Sequence, residues 1–200
     1  MARPTAATAS TELTEFADYS LLDFGPLRVW VPPRACVRMS APDEVYSDAV
    51  FFDFPSGTIR LSVLAVPRGR QLWPGRAEEI ATSQAGIGAQ VRCVWDQWGP
   101  ELHIVDHGER NWVIGLDGSR WMLLGRATWM TDSGWELVDI MRSMIRHTVV
   151  DRGRQPLPVR APLPLRRPDA SAEEDHHSLH ASPYTAIVPL MRPWIDERAE

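Results

Sequence analysis

The chain has 200 residues, 44% of them hydrophobic, a net charge of -5 and an isoelectric point near 5.7. That length suits one domain with appendages, and the acidic balance argues against a broad phosphate-binding face, which needs clustered basic residues. All 21 basic residues are arginine, none lysine, which excludes a Walker motif and Schiff-base chemistry.

Residues 1–20 are rich in Ala and Thr and read as a disordered tail. Met1 to Ser10 lacks the apolar stretch of a signal peptide, and no run approaches the ~18 apolar residues of a membrane helix. A cytoplasmic protein is the default expectation. Leu27 to Val31 alternates and stops at Pro32-Pro33, and Ala35, Val37 and Met39 share a strand face. Val45 to Phe54 is apolar and aromatic. Gly57 opens Thr58 to Val66, where Ile59, Leu61, Val63 and Ala65 point one way, as in a half-buried strand. Cys36 and Cys93 sit in apolar runs and read as buried free thiols.

Trp73-Pro74 predicts a helix start. Glu78 and Glu79 are expected early in that helix, where its dipole favours negative charge, and Gly86 and Gly88 supply the stop. Strands return at Val91–Trp95, Leu102–Val105 and Asn111–Ile114. Asp117-Gly118 predicts a hairpin with a type I′ turn, leading into Arg120 to Trp129. Ser133-Gly-Trp-Glu136 has the form of a capping box. It precedes a helix with Leu137, Val138, Met141, Met144 and Ile145 on one stripe, and Gly153 is the expected stop.

Beyond Gly153, prolines at 156, 158, 162, 164 and 168 forbid helix and favour an extended path. The predicted organisation is an α+β domain over 21–153, a proline-rich strap over 154–168 and a flexible tail over 169–200. Within the tail, residues 184–195 read as an apolar docking segment. Strands joined by short turns, with two helices among them, predict an antiparallel sheet with the helices packed on one face.

Leu27-Arg-Val-Trp-Val-Pro32, Leu116-Asp-Gly-Ser-Arg-Trp-Met-Leu123 and the Pro/Leu/Arg closing segment resemble the actinobacterial domain-of-unknown-function 3710 family. The resemblance spans roughly residues 20–168. It implies a sandwich of the Mog1/PsbP type and brings no catalytic residues with it. The family typically has Pro where Ser119 stands, and this chain adds the apolar C-terminal segment.

No coherent catalytic set emerges, and no cofactor motif. His103-x-x-Asp106-His107 fails as a metal site on a strand, because four residues at ~3.3 Å each hold the two imidazoles about 13 Å apart. Strand-surface or turn roles are expected instead. His176-His177-x-x-His180, beside Glu173, Glu174 and Asp175, has ligand types but reads as a solvated linker. Ala85-Gly-Ile-Gly88 follows a helix, whereas a phosphate cradle precedes one.

Nine tryptophans are unusual for this length. Trp95, Trp98, Trp112, Trp121 and Trp129 read as core and cross-strand pairs, with a base-stacking platform as the weaker alternative because a cationic groove is missing. The leading expectation is a non-enzymatic protein-interaction module. It would bind an unknown protein partner through Tyr184, Ile187, Val188, Leu190, Met191, Trp194 and Ile195, with no membrane or nucleic-acid partner. The alternative is a binding protein or hydrolase for an anionic metabolite or nucleotide, using a pocket lined by Arg28, Arg60, Arg92, Arg126 and Trp121.

Overall fold

A computed structural model describes residues 19–39 and 49–168, with residues 132 and 133 described by their backbone alone. Among the described residues, ten strands form two antiparallel sheets. The smaller joins β1 (Ser20–Asp23), β2 (Leu27–Val31) and β10 (Val149–Val150) in the order β1-β2-β10. The larger has the order β3-β4-β5-β9-β8-β7-β6 and comprises β3 (Cys36–Met39), β4 (Ala49–Phe54), β5 (Gly57–Ala65), β6 (Gln90–Asp96), β7 (Gly99–Asp106), β8 (Glu109–Asp117) and β9 (Trp121–Trp129). Helix α1 (Trp73–Gly86) links β5 to β6, and helix α2 (Glu136–Arg146) follows β9. Neither described helix is long and apolar enough to cross a membrane.

The period-two pattern of the strands divides the large sheet into two apolar faces. On one, Ile59, Leu61, Val63, Trp112, Ile114, Leu123 and Ala127 pack against Leu27 and Val29 of β2 and Leu137, Met141 and Ile145 of α2. On the other, Leu102, Ile104, Val113 and Met122 meet Trp73, Ala77 and Ile80 of α1. The two helices therefore lie on opposite faces, not on one as the element order suggested. The reason is that β8 and β9 are apolar on both sides, and each side needs a cover. Gly125 brings α2 close to the sheet: a Cβ there would stand 2.8 Å from Ile145 Cδ1 and 3.0 Å from Met141 Sδ.

The strap supplies backbone to the sheet. Arg160 N donates to Ala65 O, Ala65 N to Ala161 O, and Leu163 N to Val63 O. Those bonds cover the part of the β5 edge that β4 does not reach, and the Leu163 side chain is fully buried. Arg160 then grips Glu79 of α1 with both terminal nitrogens, at 2.7 and 3.2 Å.

Several local expectations give way to tertiary structure. Neither Asp117 nor Gly118 has a positive φ, so the hairpin is not type I′. Instead the Asp117 carboxylate accepts hydrogen bonds from the amides of Leu72 (3.0 Å) and Trp73 (2.9 Å) at the start of α1. No acidic residue of α1 lies in its own first turn, and Glu79 serves Arg76 and Arg160 instead. Ser133 does not cap α2, because residues 132–135 form a 3-10 turn and Trp135 holds the cap position. Helix α2 ends at Arg146, before Gly153, where the chain turns into β10. Cys36 and Cys93 are both exposed: each lies on an outer strand of the large sheet, where one flank has no neighbouring strand among the described residues.

Candidate functional site

Strands β7, β8 and β9 carry Glu101, His103, Trp112 and Trp129 on the face that α2 partly covers. The register sets His103 directly opposite Trp112, and Trp112 opposite Ala127. The 3-10 turn then folds Trp135 back over them. The His103 ring lies 5.3 Å from Trp112, 6.4 Å from Trp129 and nearly parallel to it, and 5.2 Å from Trp135. Trp135 meets Trp112 and Trp129 edge to face at 5.6 and 5.3 Å, a favoured aromatic geometry. Gly134 makes the fold-back possible, since a Cβ there would stand 2.1 Å from the Trp129 ring.

Beside this cluster sits a buried charge. Glu101 is 1% exposed, and its Oε2 accepts from Arg142 Nη2 and from Trp112 Nε1, both at 2.6 Å. The Arg142 guanidinium also lies 5.5 Å over the Trp112 ring and 3.9 Å from Asp96. Burial pushes the Glu101 carboxyl up, while the Arg142 contact pulls against it. Burial pushes the His103 imidazole down, and the charges of Arg110 and Arg92 add to that. His103 is therefore a neutral ring at neutral pH. Glu101 Oε1, His103 Nε2 and Trp129 Nε1 are buried with no hydrogen-bond partner among the described residues.

Glu101 is held by Arg142 and Trp112, and His103 is stacked among three indoles. What reaches solvent from the cluster is Trp135, 42% exposed. The family described as "Protein of unknown function (DUF3710)" matches residues 8–174. The chain belongs to this family. No curated protein matches it. Among solved structures, this DUF3710 chain is similar to the solution structure of cyanobacterial PsbP (CyanoP) from Synechocystis sp. PCC 6803. The likeness has 8% identity and a TM-score of 0.48, and covers 68% of this chain and 94% of the other.

The five residues predicted to line one pocket are separated in the DUF3710 fold. Arg60 and Arg126 face each other across β5 and β9, on the side opposite the Trp cluster. Arg92 stands opposite His103 on β6. Arg28 lies on β2 of the small sheet, and Trp121 is buried in the core. They converge on no common cavity because strand parity sends them to different faces. Of the predicted tryptophans, Trp112 and Trp129 come together, whereas Trp95 is exposed on the α1 side. Asp106 and His107 hydrogen-bond each other at 2.6 Å, His107 in the β7–β8 turn with φ 46. Tyr184, Ile187, Val188, Leu190, Met191, Trp194, Ile195 and His176, His177 and His180 lie outside the described residues. Sequence reasoning missed Glu101, Arg142 and Trp135; a lone Glu between Pro100 and Leu102 in an apolar strand was the available signal.

Two clefts open elsewhere. One, of about 620 Å³, lies between Arg68, Arg70 and Gln71 and the Asp117–Ser119 turn. The other, of about 570 Å³, is bordered by Pro32, Pro33, Arg34, Phe54 and Glu136.

Proposed function

We propose that this DUF3710 protein is a cytoplasmic, non-enzymatic protein-interaction module. One observation carries the reading: Trp135 is 42% exposed while its ring packs on His103, Trp112 and Trp129, and Met130, next in the chain after Trp129, is 71% exposed. Tryptophan, methionine and arginine are the residue types enriched at interface centres, and Arg92 stands exposed beside the cluster. An indole held in place loses little conformational freedom on docking. The two exposed thiols fit a reducing compartment. Residues 184–195 supply a second apolar docking segment on the same chain.

The test is affinity capture from the native cell followed by binding with purified components. Wild-type chain is compared with Trp135→Ala and with a 1–168 truncation. The reading expects a partner whose direct affinity falls at least about tenfold in Trp135→Ala, the loss of one hot-spot contact, at a temperature where circular dichroism shows the variant still folded, its Tm lowered by the ring contacts it loses. Turnover of a nucleotide or ester, abolished by a single polar-to-Ala change, would overturn it.

A second reading, an anionic-metabolite site, rests on the Arg68/Arg70 cleft. Its one carboxylate, Asp117, is already engaged by the α1 amides, which leaves the two guanidinium groups to set the charge of the walls. Titration calorimetry with nucleoside phosphates and dicarboxylates checks it, and no heat from any of them discards it.

A further inference from the structure

Strand β6 is an outer strand of the large sheet. Its register with β7 runs without a break from Gln90↔Val105 to Asp96↔Gly99, so no bulge twists it away from an approaching strand. The sequence Gln-Val-Arg-Cys-Val-Trp-Asp has no proline, no lysine and only one charge, Arg92, between its ends. Those are the devices by which sheets normally block edge pairing. The strap treats the exposed part of β5 differently, covering it with backbone and with Pro162, which bridges Leu64. Among the described residues nothing pairs with the outer edge of β6. At that edge Trp95 is 75% exposed and Cys93 is exposed.

We propose that β6 is a self-association edge, pairing antiparallel with β6 of a second copy about a two-fold axis at Cys93. The occupant is argued from self-complementarity. In this register Cys93 faces Cys93, Val91 faces Trp95 twice, Arg92 faces Val94 and Gln90 faces Asp96, so no like charges oppose each other. An aromatic beside a β-branched residue is among the better cross-strand pairs, and each copy covers the other's exposed indole. Ile87, 67% exposed and three residues before the strand, comes beside the β6–β7 turn of the second copy. A two-fold contact of this kind closes on itself and stops at a dimer. The two large sheets become one continuous sheet. Trp95 projects from the face opposite Trp135, whereas Arg92 of the same strand lies on the Trp135 face and is common to both surfaces.

The test uses the full chain. Sedimentation equilibrium from low micromolar to millimolar concentration is expected to show a reversible dimer. In Trp95→Lys it should weaken at least about tenfold, as loss of two cross-strand pairs implies, with Tm unchanged. Diamide supplies a second readout, accepting two protons and two electrons as two thiols join in one S–S bond. Directly opposed strand residues have Cα atoms about 5 Å apart, within disulfide reach. Wild type and Cys36→Ser are expected to form the disulfide dimer, and Cys93→Ser is not. A monomer at every concentration overturns the proposal. So does a dimer that survives Trp95→Lys, or cross-linking that depends on Cys36.

Discussion

Trp73 and Gly115 compete for one volume: a Cβ on Gly115 would stand 2.1 Å from Cδ2 of the indole. The Trp73 ring lies flat on β8, and its Nε1 donates to Pro100 O at 2.7 Å. Two residues further along β8, Asp117 accepts from the Trp73 amide. Strand β8 thus receives the ring and holds the backbone of the first residue of α1, while β7 accepts the indole N–H.

Gly115→Ala is therefore expected to destabilise the fold by about 3 kcal/mol, the upper range for overpacking. Asp117→Ala removes the acceptor at the helix start and costs about 1–2 kcal/mol. Urea denaturation of both variants measures this. If Gly115→Ala unfolds at the wild-type midpoint, the packing argument fails.

Arg142→Met leaves Glu101 buried without its cation and is expected to cost about 3–5 kcal/mol at neutral pH. In that variant the Glu101 carboxyl, already raised by burial, rises further. Its stability is then best in acid and is lost as pH rises through the folded-state value. Adding Glu101→Gln keeps an acceptor for Trp112 and removes the stranded charge, so the double variant should recover much of the loss. A double variant less stable than Arg142→Met at pH 7 contradicts this.

For His103 the sign is opposite. Its folded-state value is depressed below the ordinary 6.5, so its contribution is present above that pH and is lost as pH falls through the depressed value. His103→Phe keeps the stack and removes the titration. Between pH 7 and 5 its stability should decline less than that of wild type; parallel curves would rule His103 out as the acid-sensitive group. Chemical denaturation across the pH series provides both curves.

Leu163→Ala should cost about 2–4 kcal/mol, as for a fully buried leucine. A 1–153 truncation, which uncovers the β5 edge as well, should aggregate. A 1–168 truncation is expected to melt with the full chain, and a large drop in its Tm would mean that residues 169–200 pack on the domain.

What was legible in the sequence was what one segment decides alone. The alternation of Thr58–Val66 gives β5, the apolar stripe from Leu137 to Ile145 gives α2, and the prolines after Gly153 give an extended path. What was not legible depended on distant residues. Asp117 reads as a turn former until α1 draws its carboxylate 44 residues away. His103 reads as a surface residue until the 3-10 turn brings Trp135 over it. Cys36 and Cys93 read as core because a strand's apolar texture does not tell whether it has one neighbour or two. The candidate surface was the least legible part, since it joins three strands and a turn that only register brings together.

The bonds between the strap and β5 link residues roughly one hundred positions apart. On the ribosome, β5 therefore emerges long before the segment that shields it. Every nascent chain passes through an interval in which the Val63–Ala65 backbone is open to other strands. The last part of the domain to be synthesised acts as a timer on that exposure. A chaperone that holds extended apolar segments limits the consequences of that interval.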